Sequence, residues 1–303
     1  MVLAIAVIDF ALIRALQPEL DPSRGLVDGV VHDLGRAFLH FDFGVTCMIP
    51  GCPEISTVWH RGFAADLWLL AGALVGGLAA GMAGGVFVAM RPRARSARAV
   101  EAVATVLFCT PVYVVGFALL LLFERTFGIW PLPAFFEPGI YAAPGENPWH
   151  FLRGMLVPWL VLAAPVAGAA LRITAATIAD GLGEPYIRTG RAKGLRERAV
   201  VRRHAGPPAY GTLTTYVGIS VPLFITNMIL VEYVFFVPGF FQWTKRALGQ
   251  DTPRWPPVPD IPMLQALALW SAVLVVLMLV ATDLIVAFLD PRVRAAATRG
   301  SGA

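Results

Sequence analysis

Charge is scarce in this sequence. Of its 303 residues only 15% are charged and 57% are hydrophobic, against about 25% charged in an ordinary soluble domain. That shortage excludes a water-soluble globule and predicts an integral membrane protein. Cysteine is scarce too, with three residues and no wider Cys/His pattern of the kind a zinc site needs. His32, His40, His60, His150 and His204 show no ligand spacing. The chain has no Gly-Lys dipeptide, so it lacks the Walker A loop that cradles nucleotide phosphates. No internal repeat is visible, which argues against a secondary transporter built from two related halves. The apolar runs offer almost no acid, base or metal ligand, which leaves a membrane-embedded enzyme without a catalytic constellation.

What is present is length of apolar sequence. A bilayer core takes about 20 apolar residues per helix. Residues 67–90, 102–123, 205–231 and 261–282 qualify without a charge, the last continuing past Asp283 to 289. Residues 154–178 qualify with only Arg172 near the end. A sixth candidate, 1–16, is short and holds Asp9 and Arg14. It lacks the basic start and cleavage site of a signal peptide and is expected to be a first membrane helix whose beginning is trimmed or whose start codon is misplaced. The expected fold is an all-α membrane protein with about six transmembrane helices. Residues 1–62 would hold the first helix and an outer loop, and 63–296 a transmembrane domain.

The formal charge is +4 and the isoelectric point about 9.2. Arginine placement explains both. With both termini inside, the inner segments 91–99, 179–204 and 290–303 hold four, seven and three basic residues. The longer outer segments 17–62, 124–153 and 231–260 hold three, two and three. This is the positive-inside bias. It accounts for the basicity without nucleic acid and puts Cys47 and Cys52 outside. Those two bracket "MIPG"; they are either a disulfide on an oxidising face or two unrelated thiols. Cys109 lies in an apolar run and reads as a small packing residue.

The stretch "EPYIRTGRAKGLRERAVVRRHAG", 184–206, carries seven basic residues between two apolar runs. Glu184-Pro185 reads as a helix start, because proline suits the first helical position and an acid suits the positive end of the dipole. Arg191 and Lys193 fall in the last turn, and Gly194 supplies a left-handed stop. A helix over 185–193 is too short to be stable alone in water, so something must hold it. Gly190 and Ala192 are small enough to let a partner's backbone approach, and Tyr186, Ile187 and Leu195 offer apolar anchors. The segment either rests on anionic head groups or is gripped by another protein.

Other polar residues mark candidate structural points. Pro111 predicts a kink within 102–123. Arg172 either snorkels to the cytoplasmic head groups or serves function. Glu232 stands before "VPGF", where Pro238-Gly239 suit the middle of a type II turn. A structural hydrogen bond from Glu232 to that turn is the expectation.

"GEPYIRTGRAKGLRERAVVRRHA" resembles the cytoplasmic signature of ABC-importer permeases of the dipeptide/oligopeptide/nickel branch. Gly194 occupies the glycine position of the family's EAA loop. "CTPVYVVGFALLLLF", "VPWLVLAAPVAGAALRITAATI", "ILVEYVFFVPGF" and "DPRVR" resemble later segments of the same branch, in the same order, over about residues 36–294. The family's His-Ala-Leu-Arg-Asn-Ala reads "HAGPPA" here, which would place Pro207 and Pro208 in the fifth helix. The resemblance implies a type I (MetI-like) permease fold and a chain that does no chemistry. It implies two cytoplasmic ATPases, which bind ATP and Mg, a second homologous permease subunit, an extracytoplasmic binding protein and a bilayer of membrane lipid. It assigns Glu184, Tyr186, Arg188, Thr189, Gly190, Ala192, Lys193 and Gly194 to the element that couples ATPase closure to the membrane helices. The branch covers dipeptides, longer peptides, glutathione and nickel, and peptides are the expected cargo.

Overall fold

The structure is a computed structural model that describes residues 6–8, 10–11, 25–40, 42–47, 49, 51–123, 141–250 and 259–289. Regular structure among these residues is helical, apart from a single antiparallel bridge between Val45 and Glu54. The helices, in chain order, are α1 (Leu26–Leu39), α2 (Ile55–Met90), α3 (Arg95–Cys109), α4 (Val112–Phe123), α5 (Pro148–Leu182), α6 (Pro185–Ala192), α7 (Glu197–Val200), α8 (Pro208–Phe235), α9 (Thr244–Ala247) and α10 (Ile261–Leu289). A π-helical turn covers Val201–Ala205 and a 3₁₀ turn covers Phe241–Trp243. Most of the expected first helix, 1–16, lies outside the described residues.

Four helices, α2, α5, α8 and the 261–284 part of α10, are long and apolar enough to cross a membrane. A fifth crossing comes from α3 and α4 if they count as one broken span. The sequence predicts one kinked helix over 102–123. Instead the chain breaks at Thr110-Pro111 and turns by 102°. The reason is local. Pro111 has no N–H to continue α3, and a residue before proline is driven to extended backbone; Thr110 sits at φ −84°, ψ 127°. Its hydroxyl and amide both donate to the Val106 carbonyl, at 2.7 and 2.9 Å, and close α3.

The chain folds as two compact units, one of 1–68 with 236–277, the other of 69–235 with 278–303. In the second unit the central contact is a stripe of small residues. A Cβ placed on Gly77 would lie 3.0 Å from the Ala163 carbonyl oxygen, one on Gly81 2.5 Å from that of Ala167, and one on Gly85 2.7 Å from that of Leu171. Small residues let membrane helices approach backbone to backbone, where packing rather than hydrophobicity holds them. Both sets of numbers rise together, so α2 and α5 run parallel here. The chain therefore has to travel back between Met90 and Pro148. The broken pair makes that journey: Ala97 and Ala104 pack with Val88 and Leu171, while Gly116 meets Val234 and Phe235 at the far end of α8.

In the first unit the sulfurs of Cys47 and Cys52 are joined in a disulfide. Thr46 N–H donates to the Pro53 carbonyl at 3.1 Å, and the Thr46 hydroxyl donates to Asp260 at 2.5 Å. Asp260 also caps α10 by accepting from Met263 N–H. In the same unit Asp66, fully buried, accepts from Phe240 N–H at 2.8 Å and from Trp270 Nε1–H at 2.6 Å. A buried carboxylate demands such donors, and here they pin the segment after α8 to α2 and α10. Pro238-Gly239 do not form the predicted type II turn. That turn needs a left-handed residue at its third position, yet Gly239 stays outside that region and Phe236 carries the positive φ, +54°. Gly239 N–H instead donates to the Val237 carbonyl, 2.8 Å, closing a three-residue turn around Pro238.

The close α2–α5 approach sets a direct test. Gly81→Leu drives a side chain into the backbone of α5 and is expected to abolish recovery of monodisperse protein in detergent. Gly76→Leu, where nothing lies within 4 Å, is expected to match wild type by fluorescence-detected size exclusion. Equal recovery for both variants contradicts the packing described.

Candidate functional site

Helix α6 is built as its sequence foretells, one residue shorter. Glu184 is the extended residue ahead of it (φ −71°, ψ 148°), Pro185 opens it, and Lys193 ends it as cap rather than as a helical residue. Gly194 is left-handed, φ +77°. Its N–H donates to the Arg191 carbonyl at 2.9 Å, and Leu195 N–H reaches back to the Gly190 carbonyl at 3.4 Å. These two bonds are the paired closure of a Schellman stop. Leu195 folds back over Gly190, its Cδ1 3.8 Å from where a Cβ at 190 would be. Any β-substituted residue at 194 would meet the left-handed strain that glycine avoids.

What holds this short helix is Ile187. It is completely buried in a cluster with Ile178 of α5 and Val200, Val201 and Ala205 of the following segment. Val86, Ala89 and Met90 from the end of α2 and Leu182 from the end of α5 pack against the same cluster. Ile187 was expected to anchor a partner; it anchors the helix to its own chain. The cause is periodicity, since a two-turn helix has one inward stripe and 187 with 190 fall on it. Gly190 is likewise buried, so it is Ala192, not Gly190, that offers a small outward position. Tyr186, Arg188, Thr189, Arg191, Ala192, Lys193 and Gly194 are exposed, as are Glu184 and Leu195.

A second fastening was not foreseen. Arg191 on α6 forms a two-pronged ion pair with Glu197 on α7, Nε to Oε2 at 3.1 Å and Nη2 to Oε1 at 2.5 Å. Paired N–H···O bonds fix orientation as well as distance, so the two helices are held at one angle across the Gly194 turn. The Arg191 guanidinium holds the Glu197 carboxyl below the usual carboxylate range, and Glu197 in turn raises Arg191. The i,i+4 rule could not find this pair, because a turn separates the residues; only the glycine stop brings them together.

Beyond α7 the chain forms its π turn and reaches Pro208. The prediction that Pro207 and Pro208 enter a helix holds for Pro208 and is corrected for Pro207. Pro207 precedes α8 and Pro208 starts it, where a missing N–H costs nothing. Ala205 returns to lie beside Gly181 of α5, so the loop closes on itself. Other candidates lie apart from this site. Pro111 marks the α3–α4 break. Arg172 is exposed on α5 with its guanidinium 5.8 Å from the Phe108 ring centroid, and Glu232 is fully buried in α8. No group of three or more metal-ligating side chains occurs among the described residues.

Long apolar helices and a folded, basic interhelical loop define a multi-pass membrane protein. Residues 81–295 match the family of binding-protein-dependent transport system inner membrane components, and the chain belongs to that family. It is 29% identical over 291 residues to the oligopeptide transport system permease protein OppB of Mycobacterium tuberculosis strain H37Rv, covering 90% of this chain and 86% of that one. It is 25% identical to the dipeptide transport system permease protein DppB of Bacillus subtilis, covering 86% and 77%. It is 27% identical to the glutathione transport system permease protein GsiC of Escherichia coli K12, covering 94% and 85%.

The ion pair predicts a pH signature. Glu197's folded pKa lies below its ordinary value, so the pair's contribution is complete above the ordinary glutamate pKa, about 4.3, and is lost as pH falls through the lowered one. Hydrogen exchange over 185–200 is expected to be flat from pH 7 to 5, once corrected for intrinsic rates, and Glu197→Gln to raise it throughout. Unchanged protection in Glu197→Gln contradicts a holding role.

Proposed function

We propose that this chain is a permease subunit of an ATP-driven importer of peptides, and that α6 is its coupling element. One observation carries the reading: a short, sharply terminated helix presents an exposed basic face while its single buried anchor, Ile187, is packed among the ends of α2 and α5. A push on α6 therefore moves two membrane helices without first deforming a flexible loop. Glu184, Tyr186, Arg188, Thr189, Ala192, Lys193 and Gly194 form the outward face that a cytoplasmic ATPase would hold. Gly190 and Ile187 form the inward face.

The topology that goes with this reading has both termini in the cytoplasm. The two densest arginine segments, 91–98 and 184–204, fall on one face only if α3 and α4 together make one crossing. The parallel course of α2 and α5 asks for the same return. With 1–16 as a further helix the count is six, in a type I (MetI-like) arrangement. The disulfide-closed loop at 47–52 then lies outside, on the face an extracytoplasmic binding protein approaches. This chain, paired with a second permease subunit, would form half of the pathway, and two ATPase chains would supply ATP and Mg. Peptides are proposed as cargo because relatives named for oligopeptide, dipeptide and glutathione transport each align over most of their length; the specific peptide is set by the binding protein. The subunit itself is proposed to catalyse no reaction.

Gly194→Asp tests the coupling role. In a complex reconstituted with its ATPases and binding protein, the variant is expected to insert normally and to retain basal ATP hydrolysis. Stimulation by loaded binding protein is expected to be abolished. Full stimulation by Gly194→Asp overturns the assignment.

A further inference from the structure

An apolar groove of about 300 Å³ opens on the surface of the second unit between α2, α3 and α5. Gly81, Ala99, Val103, Leu107, Gly168 and Leu171 line it. Its lining carries almost no polar surface, so water has no partners there.

The stripe of α3 that floors the groove has a cationic head. Residues four apart share a helix face, so Arg95, Ala99, Val103 and Leu107 lie in line. Arg95 stands one turn before Ala99 and is exposed. Arg91, Arg93 and Arg98 are exposed beside it. Among the described residues neither Arg95 nor Arg98 takes part in an ion pair. The one acidic residue of α3, Glu101, is two residues from Ala99 and so on the other side of the helix, the side that Arg98 also takes, two residues from Val100.

We propose that this groove is a binding site for one anionic phospholipid, with an acyl chain along Ala99, Val103 and Gly168 and the phosphate on Arg95. The site lies on the surface of the membrane-spanning unit and needs the chain only to cross the bilayer, not α6 to couple. A cationic side chain near an anionic lipid surface contributes about 1 kcal/mol, a fivefold change in binding. The groove receives the apolar half of the ligand and Arg95 supplies the selectivity.

The test uses the assembled transporter in nanodiscs of mixed phosphatidylglycerol and phosphatidylcholine, with retained lipid read by native mass spectrometry after transfer to detergent. Wild type is expected to retain phosphatidylglycerol in preference to phosphatidylcholine. Arg95→Gln is expected to lower that preference about fivefold. Val103→Trp fills the groove from an exposed position and is expected to remove both lipids; Ala99→Phe is the second route should that variant assemble poorly. Equal retention in wild type, Arg95→Gln and the filled variants overturns the proposal. So does loss of the second permease subunit from Val103→Trp with lipid retention unchanged, which would make the groove a protein interface.

Discussion

The structure depends on the burial of one side chain, Ile187. An eight-residue helix has no standing of its own in water, since nucleation costs more than so few hydrogen bonds return. Burying an isoleucine fully contributes about 1.5–3 kcal/mol, and here the burial is among residues from the ends of α2 and α5 and from the segment that leads into α8. The helix is thus ordered by the membrane domain before any partner arrives. A preformed element loses little entropy on docking, which is what the proposed coupling role requires.

Two local devices convert that anchor into a rigid handle. The Schellman closure at Gly194 fixes where the helix ends, and the Arg191–Glu197 pair fixes how the next helix leaves. Neither is strong in free energy, because the pair is solvent-exposed and screened. Their value lies in geometry, since a hinge with two fixed sides transmits displacement. Further in, the glycine stripe of α2 on α5 brings the two backbones close enough that one cannot slide without the other. The path from α6 to the membrane helices is therefore made of contacts among groups with little freedom to yield.

Much of this was legible in the sequence because it rests on local rules. Pro185 as first helical residue, Gly194 as left-handed stop and the apolar runs of α2, α5, α8 and α10 all follow from backbone chemistry and composition. The break at Thr110-Pro111 was half legible: proline announced an interruption, but the size of the turn depends on what α3 and α4 pack against. The inward orientation of Ile187 and Gly190, the Arg191–Glu197 pair and the donors around Asp66 were not legible. Each joins residues through a turn or across long stretches of chain, where no fixed spacing applies. The "VPGF" turn misled for the opposite reason. Pro-Gly carries a strong local preference, and the donation from Phe240 to Asp66 fixes the backbone just beyond it, with Phe236 taking the left-handed position.

The central claim is that an ATPase subunit holds the outward face of α6. The most direct measurement is site-specific photocrosslinking in the assembled transporter, with the probe placed at Thr189, which is exposed, or at Gly76 on α2, an open position far along the chain from α6, as a control. The account predicts a nucleotide-dependent crosslink from position 189 to the ATPase chain and none from position 76. Absence of any ATPase crosslink from position 189 in every nucleotide state, in a complex that still transports, contradicts it.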